Sequence, residues 1–351
     1  MSVRIAAGEL RAFVYRLMRA LRVPHEASAI MADSLVAADL RGVDSHGVQL
    51  LTFYVPQIEE RRIDIAATGR IVTESGATLN YDGGNALGQV VSDICAAHAV
   101  RLARNFGLGL VTARESNHFG AAAWWAEKIA REGMIGIVMC TASAIVAPWQ
   151  GRDPRWGTNP ICVAVPGGGW LLDMATTTVA MGKIYKAGVN KWEEIPPGWA
   201  MDSEGVPTTS TAEALKGMLM PLGGYKGSGL AMMVEMLCGV LSGGALSTEQ
   251  GGLRIKDRPF RVNQFFLAID VSRWMPPEEF ERRKSKLVAM AKSSRPARGF
   301  DEVLVAGDPE WRTESERLRD GIPVSASLWN ELATMAARFG VDPPHAPGGA
   351  S

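Results

Sequence analysis

Leu108-Gly109-Leu110-Val111-Thr112-Ala113-Arg114-Glu115-Ser116-Asn117-His118-Phe119-Gly120 decides how the chain folds. Leu108 to Ala113 is a short apolar run, the pattern of a strand buried on both faces. The run then turns polar and closes on a glycine, and Ala121 to Arg131 continues with helical spacing. Strand, polar turn and helix in that order make an α/β unit. His118 in such a turn projects from the strand's C-terminal end, where α/β proteins place their active sites. An imidazole there gives and takes a proton near neutral pH.

The same alternation extends in both directions. Arg70 to Thr73 and Thr78 to Tyr81 read as strands and Gln89 to Phe106 as a helix. Ile135 to Cys140, Ile161 to Val165, Leu171 to Ala175 and Phe265 to Ile269 read as buried strands, with helices at Gly229 to Leu241 and Pro277 to Lys292. Pro166-Gly167-Gly168-Gly169 between two of these strands suits a hairpin turn. The order of strands cannot be read from pattern. Gly8 to about Asp64 is helical in period, with Pro24 opening the second helix and Leu50 to Ile58 belonging to a third, so the expectation is a helical N-terminal layer. Residues 341–351 have the proline and glycine content of a disordered end.

Lys plus Arg and Asp plus Glu number 37 each, so no net field draws the chain to nucleic acid or an anionic membrane. Cys95, Cys140, Cys162 and Cys238 lie far apart in apolar runs, which predicts buried free thiols in a reducing cytoplasm. Neither a signal peptide nor an apolar run of spanning length is present, and the expectation is a soluble protein without a membrane partner.

Of five histidines, two sit in polar, glycine-flanked turns: His118, and His46 in Asp44-Ser45-His46-Gly47. A lone loop histidine is more often bonded to backbone than catalytic, and a second such turn shifts that balance. His25 reads as a helix first-turn residue, His98 as a residue of an alanine-rich helix and His345 as part of the tail, none with a role. Neither turn has metal-ligand spacing, so no metal site is expected; a metal-assisted hydrolase or lyase on His46 and His118 is the rival from another class. Gly223-Gly224-Tyr225-Lys226-Gly227-Ser228-Gly229 opens a helix with free N–H groups and one lysine, a place for a phosphate or merely a glycine-rich helix start. It matches neither the Walker loop nor the dinucleotide fingerprint. Gly157-Thr158-Asn159-Pro160 and Asp173-Met174-Ala175-Thr176-Thr177 stand at strand ends, lining a cleft or serving turn chemistry.

Together with Pro197-Gly198-Trp199-Ala200 and Pro221-Leu222-Gly223-Gly224-Tyr225-Lys226-Gly227, these segments resemble, in order and from about Leu40 to Phe300, the malate/L-lactate dehydrogenase family that is unrelated to the Rossmann-type lactate and malate dehydrogenases. The resemblance implies a homodimeric cytoplasmic oxidoreductase with a distinctive α/β fold lacking an ordinary Rossmann domain. It implies NAD or NADP as cofactor, bound without a Gly-x-Gly-x-x-Gly loop. Substrates of the family are small 2-oxo and 2-hydroxy acids such as malate, lactate, sulfolactate, ureidoglycolate and diketogulonate; some members reduce cyclic imino acids. Residues 1–72 are then a helical part of the substrate side completed by 310–340, and 73–309 the central cofactor-binding part.

Carried over by position, His118 is the general acid/base and His46 with Ser45 a substrate-facing partner, while Ser143, Asp173, Met174, Ala175 and Lys226 match cofactor contacts. Two departures stand out. Many relatives carry an arginine one helical turn after the histidine of Ser45-His46-Gly47, where this chain has Leu50. Ala142 replaces an asparagine frequent in relatives. Leu50 either buries a helix face, leaving Arg41, Arg152 or Lys183 to meet a substrate carboxylate, or marks a different substrate.

Overall fold

The computed structural model describes residues 2–252, 255 and 257–344, so residues 345–351 of the predicted tail lie outside the described residues. Val341 at its start is instead buried in the N-terminal apolar core and bonds Ala336 O, so order extends past the expected boundary. At its centre is a seven-stranded sheet of β2 (Arg70–Ser75), β3 (Thr78–Asp82), β4 (Leu108–Ser116), β5 (Met134–Cys140), β6 (Ile161–Ala164), β7 (Leu171–Met174) and β11 (Val262–Asp270). Their spatial order is β2-β3-β4-β11-β5-β6-β7. Only β3 and β4 run parallel; β11 is antiparallel to both its neighbours, with Gln264 opposite Ala113 on one side and Cys140 on the other. The Pro166–Gly169 turn joins β6 to β7 as an antiparallel hairpin, as its composition predicts. This is a mixed α/β architecture, not a doubly wound parallel sheet, and its one parallel βαβ unit, β3 to β4 through the helix Gly88–Phe106, carries Gly83-Gly84-Asn85-Ala86-Leu87-Gly88 at the turn where the usual Gly-x-Gly-x-x-Gly fingerprint would sit.

The register aligns Met139 with Ile161 and Ile161 with Met174. The C-terminal ends of β4, β5 and β7 therefore share one edge of the sheet with the start of β11. Helices α4 (Gly88–Phe106) and α5 (Ala122–Ala130) cover this sheet. Cys95, Ala96, Ala99, Leu102 and Ala103 recur at helical spacing on the buried face of α4. Their smallness lets β4 approach closely: a Cβ on Gly109 would lie 2.1 Å from the Ala99 carbonyl oxygen. All four cysteines are free and buried.

The N-terminal layer is helical, with α1 (Ala7–Ala20), α2 (His25–Leu40) and α3 (Leu51–Glu59), but it is not helical throughout. β1 (Ser2–Ile5) pairs antiparallel with β12 (Ile322–Ser325), a non-local pairing that no local period announces. Ile5, Leu10, Phe13, Leu17, Leu35, Leu51, Ile322 and Leu332 share one apolar core. A smaller lobe holds α6 (Met181–Val189), α7 (Thr211–Lys216) and the sheet of β8 (Ala200–Met201), β9 (Pro207–Thr208) and β10 (Met218–Leu219).

The helix expected over Gly229 to Leu241 starts earlier and ends differently. α8 runs Tyr225–Val234 and passes into a π-helical turn and a half at Glu235–Val240. Gly224, at φ +67°, caps it, and Gly227 serves close packing, since a Cβ there would fall 2.3 Å from Leu222 N. The widening begins where Glu235 turns inward to accept hydrogen bonds from Asn159 and Ser247.

Candidate active site

The loop after β4 puts His118 at the shared edge. Asn117 anchors it: its side-chain amide donates to the backbone oxygens of Asn85 and Ala86 at 3.0 and 2.8 Å and to Asn85 Oδ1 at 3.1 Å. Trp125, fully buried in α5, donates to the Phe119 carbonyl at 2.9 Å. Gly88, the first residue of α4, lies so close beneath that a Cβ would come within 2.3 Å of the carbonyl oxygens of Asn117 and His118.

His46 arrives from a separate turn, Asp44–His46, after α2. Its ring stacks on that of His118 with centroids 5.7 Å apart and planes 22° from parallel. Ser45 Oγ lies 2.9 Å from His46 Nδ1. Asp39, buried in α2, fixes this turn by accepting the Val48 N–H at 2.8 Å. Gly47 is required there because a Cβ would sit 1.8 Å from Asp39 Oδ1. Burial is the main reason that the Asp39 carboxyl is pushed up to about 8. Arg317 from α10 (Asp308–Asp320) bonds both the Asp39 carbonyl and the Asp44 carboxylate.

Desolvation lowers His46 from 6.5 to about 4, and desolvation with the neighbouring His46 lowers His118 to about 3. Both rings are then neutral at pH 7. The unfolded chain takes up a proton on each as pH falls through 6.5 and the folded chain does not, so each ring makes stability fall between pH 6.5 and 4. Asp39, pushed up to about 8, acts oppositely across that whole range and Asp173, pushed up to about 6, over its lower part, so the test is a difference. The slope of unfolding free energy against pH between 4.5 and 6.5, from urea titrations, is expected to be less positive in His118→Gln than in the parent, by up to about one proton's worth; equal slopes contradict the lowered value.

The residues expected to touch a cofactor gather along the same edge. Asp173 accepts the Ala123 N–H at 2.9 Å, which ties the end of β7 to the helix that follows His118. It remains solvent-reached, yet surrounding protein pushes its carboxyl upward, the behaviour of a group in a recess. Met174 and Ala175 follow, half-buried. Thr176 N donates to Thr158 O and Leu222 N to Thr176 O, both at 2.9 Å, which sets the glycine-rich start of α8 beside the end of β7. Lys226 is exposed in the first turn of that helix and has no hydrogen bond or ion pair among the described residues. Ser143 follows β5 and packs against Gly252, where a Cβ would sit 2.3 Å from its Oγ.

Other sequence candidates resolve differently. Leu50 is 2 % exposed within the apolar core of the N-terminal layer, so it buries a helix face. Arg41 is buried with Nη1 against Glu127 and with Nε and Nη2 lacking a protein partner among the described residues, and Arg152 pairs with Glu204 at the surface. Lys183 is exposed near the start of α6, 6.0 Å from the Trp199 ring centroid and with no carboxylate partner among the described residues. Its neighbour Gly182 meets Ser45, with 3.5 Å between the Ser45 Cβ and a Cβ built on Gly182. Asn159 is fully buried and belongs to the frame: it bonds Glu235, Ala231 O and Ala142 N. His25 bonds Tyr15, and His98 lies in α4 beside Arg101, both away from the cleft.

Three residues of the site give no signal in sequence. Tyr54 Oη lies 2.7 Å from His118 Nδ1, Gln89 Nε2 donates to Tyr54 Oη at 2.9 Å, and Asp39 supports the His46 turn. Each stands on a helix whose period says only that it is buried. Among the described residues no group of three or more His, Cys, Asp or Glu is arranged to hold a metal ion, and no helix is long and apolar enough to cross a membrane.

A family profile described as malate/L-lactate dehydrogenase matches residues 5–333. The malate dehydrogenase of Pyrococcus abyssi is 40 % identical over 97 % of this chain and 96 % of its own length. The L-sulfolactate dehydrogenase of Methanocaldococcus jannaschii is 37 % identical over 93 % of this chain and 94 % of its own. The solved malate dehydrogenase of Pyrococcus horikoshii OT3 superposes with a TM-score of 0.90 at 37 % identity, covering 98 % and 97 % of the two chains. An oxidoreductase acting on CH–OH groups is what the profile match and this full-length likeness amount to: the chain belongs to the malate/L-lactate dehydrogenase family.

Proposed function

We propose that the protein transfers a hydride between NAD or NADP and a small 2-hydroxy/2-oxo acid, with His118 as the general acid/base. The observation that carries this reading is the stacked pair His118 and His46, held from two elements at a sheet edge that also brings together Asp173 and the start of α8. The residues present fit a dinucleotide: Lys226 is an unpaired ammonium at a helix start, the kind of place that takes a phosphate, and Asp173 is a solvent-reached carboxyl in a recess. Ser143, Asp173, Met174, Ala175 and Lys226 would hold it. When bound, the nicotinamide supplies or accepts the hydride at the substrate carbon.

The chain's own residues do the rest. His118 Nε2 exchanges the proton with the substrate oxygen, and His46, set by Ser45, borders the same oxygen. Lys183 meets the substrate carboxylate in place of the arginine that relatives carry where this chain has Leu50. In the Lys183→Met variant KM for the acid is expected to rise at least about tenfold with kcat much less affected, the value of one charge-assisted bond; an unchanged KM contradicts the assignment. The family resemblance supports a cytoplasmic homodimer, which light scattering of the purified protein tests.

A panel of 2-oxo acids and cyclic imines, each with NADH and NADPH, tests the whole reading through loss of reduced-cofactor absorbance. Turnover of cyclic imines alone favours an imino acid reductase. Activity abolished by chelator and indifferent to nicotinamide favours a metal-assisted hydrolase or lyase.

A further inference from the structure

His118 is bonded on the ring nitrogen that faces away from the substrate side, and that bond decides which proton-transfer state the ring can enter. Tyr54 Oη is 2.7 Å from His118 Nδ1, and the Gly120 N–H points to the same nitrogen at 3.3 Å. Gln89 Nε2 donates to Tyr54 Oη at 2.9 Å. With Gln89 donating, the single hydroxyl proton of Tyr54 goes to Nδ1, so a neutral His118 carries its proton on Nε2. That form has no lone pair on Nε2 with which to take a proton from an alcohol, and giving up its Nε2 proton would leave an imidazolate, so it is the unproductive tautomer in both directions.

Taking a proton requires a bare Nε2, hence a proton on Nδ1, hence a Tyr54 that accepts and sends its own proton onward. The acceptor is at hand. Gln89 is fully buried, and its Oε1 has no protein partner among the described residues. A half-turn of the amide exchanges Oε1 for Nε2 beside Tyr54. In either orientation one end of the amide is paired and the other is not, so the surroundings do not fix it. Asn117, one residue from His118, is the contrast: three acceptors hold its Nδ2 in place.

We propose that Gln89 and Tyr54 are positioning residues forming a reversible hydrogen-bond relay that selects which ring nitrogen of His118 bears the proton. The inference rests on the reading of His118 as acid/base. In the oxidative direction the substrate O–H bond breaks and its proton binds Nε2, while Nδ1–H donates to Tyr54 Oη and Tyr54 Oη–H to Gln89 Oε1. In the reductive direction His118 starts as the imidazolium with Nδ1–H held by Tyr54 Oη; its Nε2–H bond breaks, the carbonyl oxygen gains the proton, and the neutral Nδ1–H ring remains. The relay itself gains and loses none. The titratable groups facing the ring are His46 from its turn and Tyr54 from α3, with neutral Gln89 from α4 behind Tyr54; Asp173 is bonded to the Ala123 N–H at the start of α5, and Glu115 on the ring's own loop is tied to Arg261.

The test is ¹⁵N NMR of the full chain with labelled histidine, together with the pH profile of kcat/KM, for the parent, Gln89→Met, Gln89→Glu and Tyr54→Phe. The parent is expected to show His118 shifts averaged between the two tautomers. Gln89→Met moves them to the Nε2–H form, and Gln89→Glu at pH 9 to the Nδ1–H form. The pH midpoints of the two variants move in opposite directions, each by at least about threefold in proton concentration, and making the same two substitutions in the Tyr54→Phe background abolishes the difference between them. Shifts identical in all variants, or moved the same way by Met and Glu, overturn the relay. Opposite tautomer shifts with an unaltered pH profile uphold the relay and overturn the acid/base role of His118. Tyr54→Phe, nearly isosteric, keeps the test open if a substitution at Gln89 impairs folding.

Discussion

Turnover of the His118→Ala variant is expected to fall at least about a hundredfold, with NADH or NADPH binding nearly unchanged. The reason is positional. His118 stands on the loop after β4, while the residues proposed for the cofactor come from the ends of β5 and β7 and the start of α8. Truncating the ring removes the proton partner and the stacking surface of His46, and leaves those elements where they are. The anchors of the loop belong to Asn117, Trp125 and Gly88, so its backbone survives the change. Stopped-flow turnover and fluorescence titration with reduced cofactor, run on the same preparation, separate the two effects. Undiminished turnover overturns the assignment of His118; lost cofactor binding shows that the loop and the cofactor site are one unit.

Asn159→Ala is expected to lower stability by roughly 3–5 kcal/mol, read as the urea midpoint of unfolding. Asn159 is fully buried at φ +35°, a left-handed conformation that asparagine tolerates better than alanine. Its amide satisfies Glu235 Oε1 at 2.8 Å and Ala231 O at 3.1 Å, and its oxygen accepts Ala142 N–H at 3.1 Å. Alanine strands these groups away from water, each at a cost of about 1–3 kcal/mol. Because Ala142 precedes Ser143, activity falls with stability. A loss under about 1 kcal/mol means that the network relaxes around the gap.

The segments around His118 are legible in sequence because their signals are local. The apolar run of β4, the glycine after Phe119 and the hairpin at Pro166–Gly169 each announce themselves within a dozen residues. The pairing of β1 with β12 and the insertion of β11 between β4 and β5 depend on residues more than a hundred positions apart, which periodicity does not encode. The start of α8 misleads for a physical reason: glycines usually end helices, and Gly227 and Gly229 lie inside one, Gly227 because its packing against Leu222 and Thr176 leaves no room for a side chain. At the site, the histidines are visible by their polar turns, whereas Tyr54, Gln89 and Asp39 act from helices where burial alone is legible. Leu50 departs from the pattern of relatives, and its place in the core explains it without reference to substrate.

The central position of β11 has a consequence for the order in which the molecule can be made. β4 and β5 have no partner on their facing sides until residues 262–270 have left the ribosome, so a nascent chain carries two unpaired apolar edges through the synthesis of more than a hundred residues. When β11 arrives it does more than seal them: Gln264 accepts a hydrogen bond from Ser92 and donates one to Ser116, two residues before His118. The strand that completes the half-made sheet also sets the loop that carries His118, so refolding yield and recovery of activity should rise together, with a folded but inactive species absent from the time course.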